Sequence, residues 1–169
     1  MLKAKLIKLD NFKDARGSLI KFYQNKFIKN YKAKESFYSF SKRNVFRGMH
    51  FQKYPYEVNK IVHCFQGEIL DFIVDLRPKS KQYKKIFKYR LSSNKPSILF
   101  IPKGYAHGFF TTSKISGVLY VYDKAYSKKY DTGFHYSSLN YFNKKVILSK
   151  KDSSLKFFNL YNQNLRTKK

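Results

Sequence analysis

Cysteine, tryptophan, glycine, proline and acidic side chains are all scarce in this chain of 169 residues. Cys64 is the only cysteine, so an intrachain disulfide is excluded. The 7 glycines and 4 prolines are too few for a linker-rich or low-complexity chain. Charges interrupt the short apolar runs near the N-terminus, and no run reaches the roughly 20 residues that span a membrane. We therefore expect neither a signal peptide nor a membrane segment, and a cytoplasmic location.

The length of the chain suits one globular domain, and 43% apolar residues are enough for a sizeable core. We predict that residues 1–169 form a single domain. The last residues, near 159–169, are polar and basic, which is typical of a mobile tail.

Positive charge is in large excess, with 36 basic against 10 acidic residues and a formal net charge of +26. Such an excess attracts anions, including a nucleotide diphosphate, and it raises the alternative of a nucleic-acid-binding module. Few of the basic residues are arginines, and the lysines are spread through nearly every segment. Because base readout and bidentate phosphate binding draw mainly on arginine, this distribution favours a solvated basic surface.

Aromatic residues make up 19% of the chain, and tyrosine and phenylalanine favour β-structure. Helical periodicity is weak, and its best candidate is the ambiguous segment 146–160. Short β-rich runs that end at turns predict strands at 18–23, 60–65, 68–76, 83–91, 97–101 and 117–122. Many short strands with little helix predict an all-β sandwich or barrel.

Two of the histidines stand beside glycines, where backbone can approach a ligand closely: His50 in RGMHFQ and His107 in PKGYAHGF. Metal-binding barrels of this type use a His-x-His pair, but the second position here is Gln52, a poor ligand beside imidazole. A metal site would have to combine His50 and His107 with Glu68, and we predict none. Without a metal, His50 is available as a base.

Several motifs resemble the dTDP-4-dehydrorhamnose 3,5-epimerase family in their order and spacing. They are DARGSL at 14–19, RGMHFQ at 47–52 followed by Lys60, GEILDFIVDLR at 67–77, and IPKGYAHGF at 101–109. Each motif alone is weak, and together they extend the resemblance from about residue 10 to residue 152. The resemblance implies a jelly-roll (cupin) barrel with short peripheral helices, a homodimer, and an epimerase that uses neither metal nor cofactor.

The resemblance also implies a role for individual residues. His50 would be the base and Asp152 would orient it, while Lys60 would stand beside the ketone of the sugar. Tyr120 would be the acid on the opposite face. The residues implied to contact or surround the substrate are Arg16, Arg47, Gln52, His107 and Asp71.

The chemistry explains why these residue types are needed. A hydrogen on a carbon next to a ketone is acidic only when the enolate is stabilised, and a cation or donor at the ketone oxygen provides this. A base on one face and an acid on the other are the minimum for inverting a carbon without a cofactor. We therefore predict an isomerase that inverts C3, C5 or both in a nucleotide-diphosphate-linked 4-keto-6-deoxy sugar.

Two departures from the family leave the nucleotide open. The chain reads ESFYS at 35–39, where the family has a Gln-Asp-Asn-type segment, and SLIK at 18–21, where the family has aromatics and a Glu. A dTDP- or GDP-linked hexose or heptose therefore stays possible. Two other functions also stay open: a cupin-type 3,4-ketoisomerase, which needs a similar base, and the nucleic-acid-binding module.

Overall fold

The computed structural model describes residues 2–24, 26–143 and 145–160. This part of the chain is almost entirely β-structure, with a single 3₁₀ turn at Tyr136–Leu139 and one short helix, α1, at Lys150–Ser153. Its strands are β1 Lys5–Lys8, β2 Asn11–Asp14, β3 Gly17–Ile20, β4 Glu35–Lys42, β5 Phe46–Gln52, β6 Lys60–Gln66, β7 Glu68–Asp75, β8 Ile86–Ser92, β9 Ser97–Ile101, β10 Tyr105–Thr111, β11 Ile115–Tyr122 and β12 Asp131–Gly133.

The strands form two five-stranded antiparallel sheets and one small hairpin. The first sheet has the order β1-β9-β6-β11-β4, the second has the order β12-β5-β10-β7-β8, and β2 pairs with β3. Strands that are neighbours in space are mostly distant in the chain, so the polypeptide crosses repeatedly between the sheets. This is a cupin jelly-roll, and the prediction of an all-β fold with short peripheral helices is confirmed.

The main core lies between the two sheets. Val62, Leu99 and Val118 from the first sheet face Ile73 and Phe109 from the second, and all of them are buried. Fully burying one such side chain stabilises the fold by about 1.5–3 kcal/mol relative to leaving it exposed. The inward-facing side chains of these alternating strands therefore stabilise the face-to-face packing of the two sheets.

Each sheet is also covered on part of its outer face. Tyr31 and the apolar residues near it pack on the first sheet, against Ile61 and Phe100. Leu139 and Leu160 pack on the second, against Phe46 and Phe72. Because both faces of the central strands are covered, β9 and β10 are buried along their whole length.

Most predicted strands are present with small shifts at their ends, and the strand at 97–101 has the predicted bounds. The predicted strand at 83–91 begins only at Ile86, because turns occupy the residues before it. The helix considered for 146–160 is wrong except at Lys150–Ser153, since Ile147 forms a β-bridge with Val45 instead. Residues 161–169 of the predicted tail lie outside the described residues, and the single domain stays a prediction.

Two glycines let the strands of the second sheet approach closely beside the cavity described below. Gly48 has φ +129°, and a Cβ at this position would lie 2.8 Å from the carbonyl oxygen of His107 and closer still to Gly108. The approach sets the register in which His50 and His107 are cross-strand partners. Within the described residues, no helix has the length and apolar character needed to cross a membrane.

Candidate active site

A cavity of about 460 Å³ lies between the two sheets, beside β4 at the edge of the first and β12 at the edge of the second. Both sheets and the segment around α1 contribute to its lining. Among the predicted site residues, those that line it are Arg47, His50, Gln52, Lys60, His107, Tyr120 and Asp152. The fold therefore brings together residues that are far apart in the sequence.

His50 on β5 is paired with Asp152 on α1. The Nε2 atom of His50 lies 2.6 Å from Oδ1 of Asp152, whose side chain is only 4% exposed. Burial alone would raise the pKa of Asp152, but the hydrogen bond and charge of His50, with the Gly48 N–H and Ser149, hold this pKa below its usual value. The carboxylate is therefore an acceptor, which places a proton on Nε2; when the ring is in its neutral form, the lone pair is then on Nδ1.

Lys60 on β6 places a buried ammonium in the cavity without an ion-pair partner among the described residues. Its Nζ donates a long hydrogen bond of 3.4 Å to the carbonyl oxygen of His50 and lies 5.4 Å from the centre of the Tyr122 ring. Burial lowers the pKa of Lys60 from 10.5 to about 8, against the opposing effect of more distant carboxylates. The group can donate to, and charge-stabilise, an oxygen that becomes negative.

Tyr120 enters the cavity from β11, on the sheet opposite His50. Its ring stacks on Phe37 at a centroid distance of 4.7 Å and lies 6.4 Å from the ring of His107, the cross-strand partner of His50. Burial raises the pKa of the Tyr120 phenol, so that the hydroxyl stays protonated at neutral pH. An imidazole held by a carboxylate and a protonated phenol thus enter one cavity from two sheets.

His107 and Asp71 form a second histidine–carboxylate pair behind the first. Nε2 of His107 lies 2.8 Å from Oδ2 of Asp71, and both side chains are buried. Burial raises the pKa of Asp71, although His107 and Lys60 oppose the shift. Only His107 of this pair lines the cavity, and Asp71 lies behind it.

The other predicted substrate residues have different surroundings. Arg47 lines the cavity and is fixed by two hydrogen bonds, from Nε to Ser41 Oγ at 2.8 Å and from Nη2 to the Phe40 carbonyl at 3.0 Å. The amide of Gln52 is occupied by backbone, since Nε2 donates to the carbonyl of Tyr56 and Oε1 accepts from the Ser127 N–H. Gln52 therefore shapes the wall of the cavity by anchoring two loops.

The structure does not bring Arg16 to this cavity. Arg16 lies in the β2–β3 hairpin, its side chain is 90% exposed, and it pairs with Asp14 at 2.6 Å. Within this chain, Arg16 is therefore not in position to make the substrate contact that was predicted for it.

Several cavity residues were not predicted from the sequence. Tyr126 donates its hydroxyl hydrogen bond to Asp131 at 3.0 Å, and its backbone N–H donates to Glu35 at 2.6 Å. Lys151 forms an ion pair with Asp131. Phe37, Ser39, Tyr122 and Ser149 also line the cavity. The period-two alternation of strands could have identified Tyr122, two positions after Tyr120, whereas the sequence carries no comparable signal for Asp131.

The described residues contain no group of three or more His, Cys, Asp or Glu side chains arranged to hold a metal ion. Glu68, the third member of the metal set considered from the sequence, is used elsewhere. Its carboxylate accepts from Arg90 at 2.5 Å and from Thr112 at 2.8 Å. His50 and His107 are each hydrogen-bonded to an aspartate, Asp152 and Asp71 respectively.

Known proteins resemble this chain over most of its length. Residues 2–159 match the family model described as dTDP-4-dehydrorhamnose 3,5-epimerase. A dTDP-4-dehydrorhamnose 3,5-epimerase of Sinorhizobium fredii is 30% identical over 162 residues, which cover 90% of this chain and 83% of that protein. The enzyme of that name from Escherichia coli is 40% identical over 96 residues, 57% of this chain and 52% of that protein. The match thus spans about half of the Escherichia coli relative.

Solved structures give the same result at the level of the fold. A dTDP-4-dehydrorhamnose 3,5-epimerase of Bacillus anthracis, with TDP and PPi bound, has a TM-score of 0.86 at 34% identity, over 92% of this chain and 94% of that chain. A dTDP-6-deoxy-D-glucose-3,5-epimerase of Legionella pneumophila, in complex with dTDP-4-keto-L-rhamnose, also has a TM-score of 0.86, at 27% identity, over 94% of this chain and 89% of that chain. The chain therefore belongs to the dTDP-4-dehydrorhamnose 3,5-epimerase family.

Proposed function

We propose that this protein is an isomerase that inverts C3, C5 or both in a dTDP-linked 4-keto-6-deoxy sugar. One observation carries the proposal: His50, held by Asp152, and the protonated Tyr120 enter the same cavity from opposite sheets. The buried ammonium of Lys60 also lines that cavity. There it can stabilise the ketone oxygen of a sugar that is bound between the base and the acid. The dTDP and TDP ligands of the two solved relatives support a thymidine nucleotide.

In the proposed reaction, the lone pair on Nδ1 of His50 takes the proton from the carbon next to the ketone. The C–H electrons form a C=C bond and the carbonyl electrons move to the C4 oxygen, where Lys60 stabilises the negative charge. Tyr120 then donates its proton to the opposite face of the carbon, which restores the ketone with inverted configuration. Solvent returns a proton to the Tyr120 oxygen and removes one from His50, so the cycle closes without any other reactant.

The rest of the cavity would hold the nucleotide. Arg47 lies at the cavity wall with its guanidinium already oriented by Ser41 and the Phe40 carbonyl, so little side-chain entropy is lost when it binds an anion. Half-exposed Lys151 offers a second cation on the lining. These two charges suit a diphosphate, and the strongly basic protein attracts such a ligand.

Hydrogen–deuterium exchange tests the proposal directly. Incubation with dTDP-4-keto-6-deoxyglucose in heavy water should introduce deuterium at C3 or C5, as measured by NMR and mass spectrometry. His50→Asn should abolish exchange and inversion, because no base remains. Tyr120→Phe should retain exchange from the His50 face and lose inversion, because the other face has no donor. His135→Asn is the matched control, since His135 caps a 3₁₀ turn outside the cavity and asparagine can also cap.

Two outcomes would contradict the proposal. Undiminished exchange in His50→Asn would remove His50 from the role of base. A product whose ketone has moved from C4 to C3 would instead indicate a ketoisomerase. GDP-linked substrates belong in the same assay, because the departures at 18–21 and 35–39 fall where the family contacts the nucleotide.

We also propose that the protein acts as a homodimer in the cytoplasm. Three exposed aromatic side chains, Tyr38, Phe40 and Phe65, pack edge to face with centroid distances of 5.7–6.4 Å on the outer face of the first sheet. Tyr38 and Phe40 belong to β4, an edge strand whose outer side has no partner strand in the described residues. A second copy would cover this surface. The exposed hairpin would then bring Arg16 to the cavity of the partner. This would explain why Arg16 lies far from the cavity of its own chain.

A further inference from the structure

We propose that Tyr122 is a positioning residue, which holds the ammonium of Lys60 in the cavity with the face of its aromatic ring. Tyr122 lies on β11 and Lys60 on β6, and the two are direct partners in the antiparallel register. Side chains at such positions project from the same face of the sheet and contact each other. Nζ of Lys60 lies over the Tyr122 ring, 5.4 Å from its centre, which is within the range of a cation–π interaction.

The Tyr122 ring is itself held by two further aromatic rings. Phe37 on β4 meets it edge to face at a centroid distance of 5.1 Å, and Tyr120 does so at 6.3 Å. Edge-to-face packing is a favourable arrangement of aromatic pairs. Burial raises the pKa of Tyr122, so its side chain is a neutral phenol. Tyr122 therefore presents a fixed and uncharged ring face to Lys60.

A ring has an advantage over a carboxylate at this position. The register also places Glu35 on β4 opposite Tyr122, so that Tyr122 stands between Lys60 and Glu35 in one cross-strand row. A carboxylate in contact with Lys60 would accept its N–H bonds, whereas a ring face attracts the ammonium through its quadrupole. Within the described part of the chain, one of the three N–H groups of Lys60 is used, in the 3.4 Å bond to the His50 carbonyl. The others remain for a ligand oxygen.

This role deepens the proposed function and rests on it, because Lys60 must stay charged in the cavity to stabilise the C4 oxygen. Asp131 on β12 and Asp71 on β7 favour the charged form from a distance, while burial opposes it more strongly. Both carboxylates have nearer partners of their own. The ionisable side chains that line the cavity without a hydrogen bond or ion pair to Lys60 in the described residues are Glu35, Arg47, His107, Tyr120, Lys151 and Asp152. The Tyr122 ring is thus the side chain in contact with the ammonium that stabilises its charge.

A fluorinated ring at position 122 tests the interaction with little change in packing. Fluorine withdraws charge from the ring face, so Tyr122→trifluorophenylalanine weakens the attraction to a cation, while Tyr122→Phe keeps it. The titration of Lys60 can be followed by ¹³C NMR of labelled lysine in the free protein, with Lys60→Met to identify its signal. The midpoint in the trifluorophenylalanine variant should lie about 0.4–1.5 pH units below that in Tyr122→Phe. Phe72→trifluorophenylalanine is the matched control and should leave the midpoint unchanged, because it alters a buried ring outside the cavity.

Kinetics with the sugar substrate provide the second readout. Relative to Tyr122→Phe, the trifluorophenylalanine variant should have a kcat about 2- to 15-fold lower at pH 8 and nearly the same kcat at pH 6, where Lys60 is charged in both. An equal or higher midpoint in the trifluorophenylalanine variant would overturn the inference. So would a loss of activity that is the same at both pH values, which would indicate an effect on packing. If the wild type catalyses no exchange, the proposed function fails, whereas the NMR midpoint still decides whether the Tyr122 ring holds Lys60.

Discussion

Replacing Lys60 by methionine should make the protein more stable and nearly inactive. Lys60 is buried, and its charge has no ion-pair partner among the described residues, only a long hydrogen bond to a carbonyl oxygen. Methionine has a similar length and volume and no charge to desolvate. The fold keeps its packing while the unfavourable burial of an ammonium is removed.

The magnitude follows from the pKa of Lys60, which burial lowers from 10.5 to about 8. A difference of about 2.5 pH units corresponds to about 3 kcal/mol at 1.36 kcal/mol per unit. Below pH 8 the lysine is charged in both states, and the folded state carries the full penalty. Between about pH 8 and 10.5 the unfolded chain binds more protons, so the stability of the wild type rises with pH in this window. Lys60→Met should therefore gain up to about 3 kcal/mol at pH 7 and much less at pH 10.

The loss of activity follows from the same charge. Removing one donor at a developing oxyanion costs about 2.7–4 kcal/mol of transition-state stabilisation, or about 10²–10³ in kcat. Wild-type activity should also decline above about pH 8, where Lys60 loses its proton. Lys60→Arg keeps the charge in a larger group, which separates the effect of charge from that of shape.

Urea titrations at pH 7 and pH 10, followed by circular dichroism, measure the stability change. Lys5→Met, at an exposed position on β1, is the matched control and should leave stability nearly unchanged at both pH values. The reasoning would be refuted if Lys60→Met destabilised the protein at pH 7, or if its effect did not depend on pH. Full epimerase activity in Lys60→Met would show that Lys60 does not stabilise the ketone oxygen.

Two further outcomes test the surface and the core. Phe40→Lys places a charge in the exposed aromatic cluster and should convert the proposed dimer to a monomer in light scattering. Phe157→Lys, which changes another exposed phenylalanine, should not have this effect. A monomeric wild-type protein would contradict the proposed dimer. Phe72 is fully buried against Phe46 and Phe142. Phe72→Ala should therefore lower the free energy of unfolding by about 3–5 kcal/mol and Tm by about 10 °C, and Phe72→Leu should lower both by less. An unchanged Tm in Phe72→Ala would contradict this packing.

Strands that are apolar throughout could be read directly from the sequence. The run at 97–101 is buried on both faces and bounded by turn residues, so its limits were predicted without error. In contrast, β5 contains an arginine, a glycine and a histidine, and β4 exposes aromatic residues on its outer face. The residue types of β5 are set by the cavity that it lines, and those of β4 by its position at the edge of the sheet, so neither strand shows the pattern of a core strand. Functional strands of this kind depart from the simple alternation of apolar and polar residues.

The candidate site also contains residues that could be predicted from the sequence and residues that could not. His50 and Asp152 are separated by 102 positions, and nothing local in the sequence joins them. The family resemblance predicted both, and the jelly-roll brings them within hydrogen-bond distance. Asp131 and Tyr126 were missed because their positions depend on the register of β12 against β5 and on the path of the preceding loop. Such information exists only after the sheets have formed.

The pairing of distant segments has a consequence for synthesis on the ribosome. Within the described residues, β4 pairs in the first sheet only with β11, where Phe37 opposes Tyr120. At about 5–20 residues per second, β4 leaves the ribosome roughly 4–16 s before its partner strand is made. During this interval the backbone of β4 lacks its partner strand and Phe37 lacks the ring of Tyr120, as is usual for folds dominated by long-range contacts. A nascent chain halted before residue 115 should therefore expose β4 to chaperones.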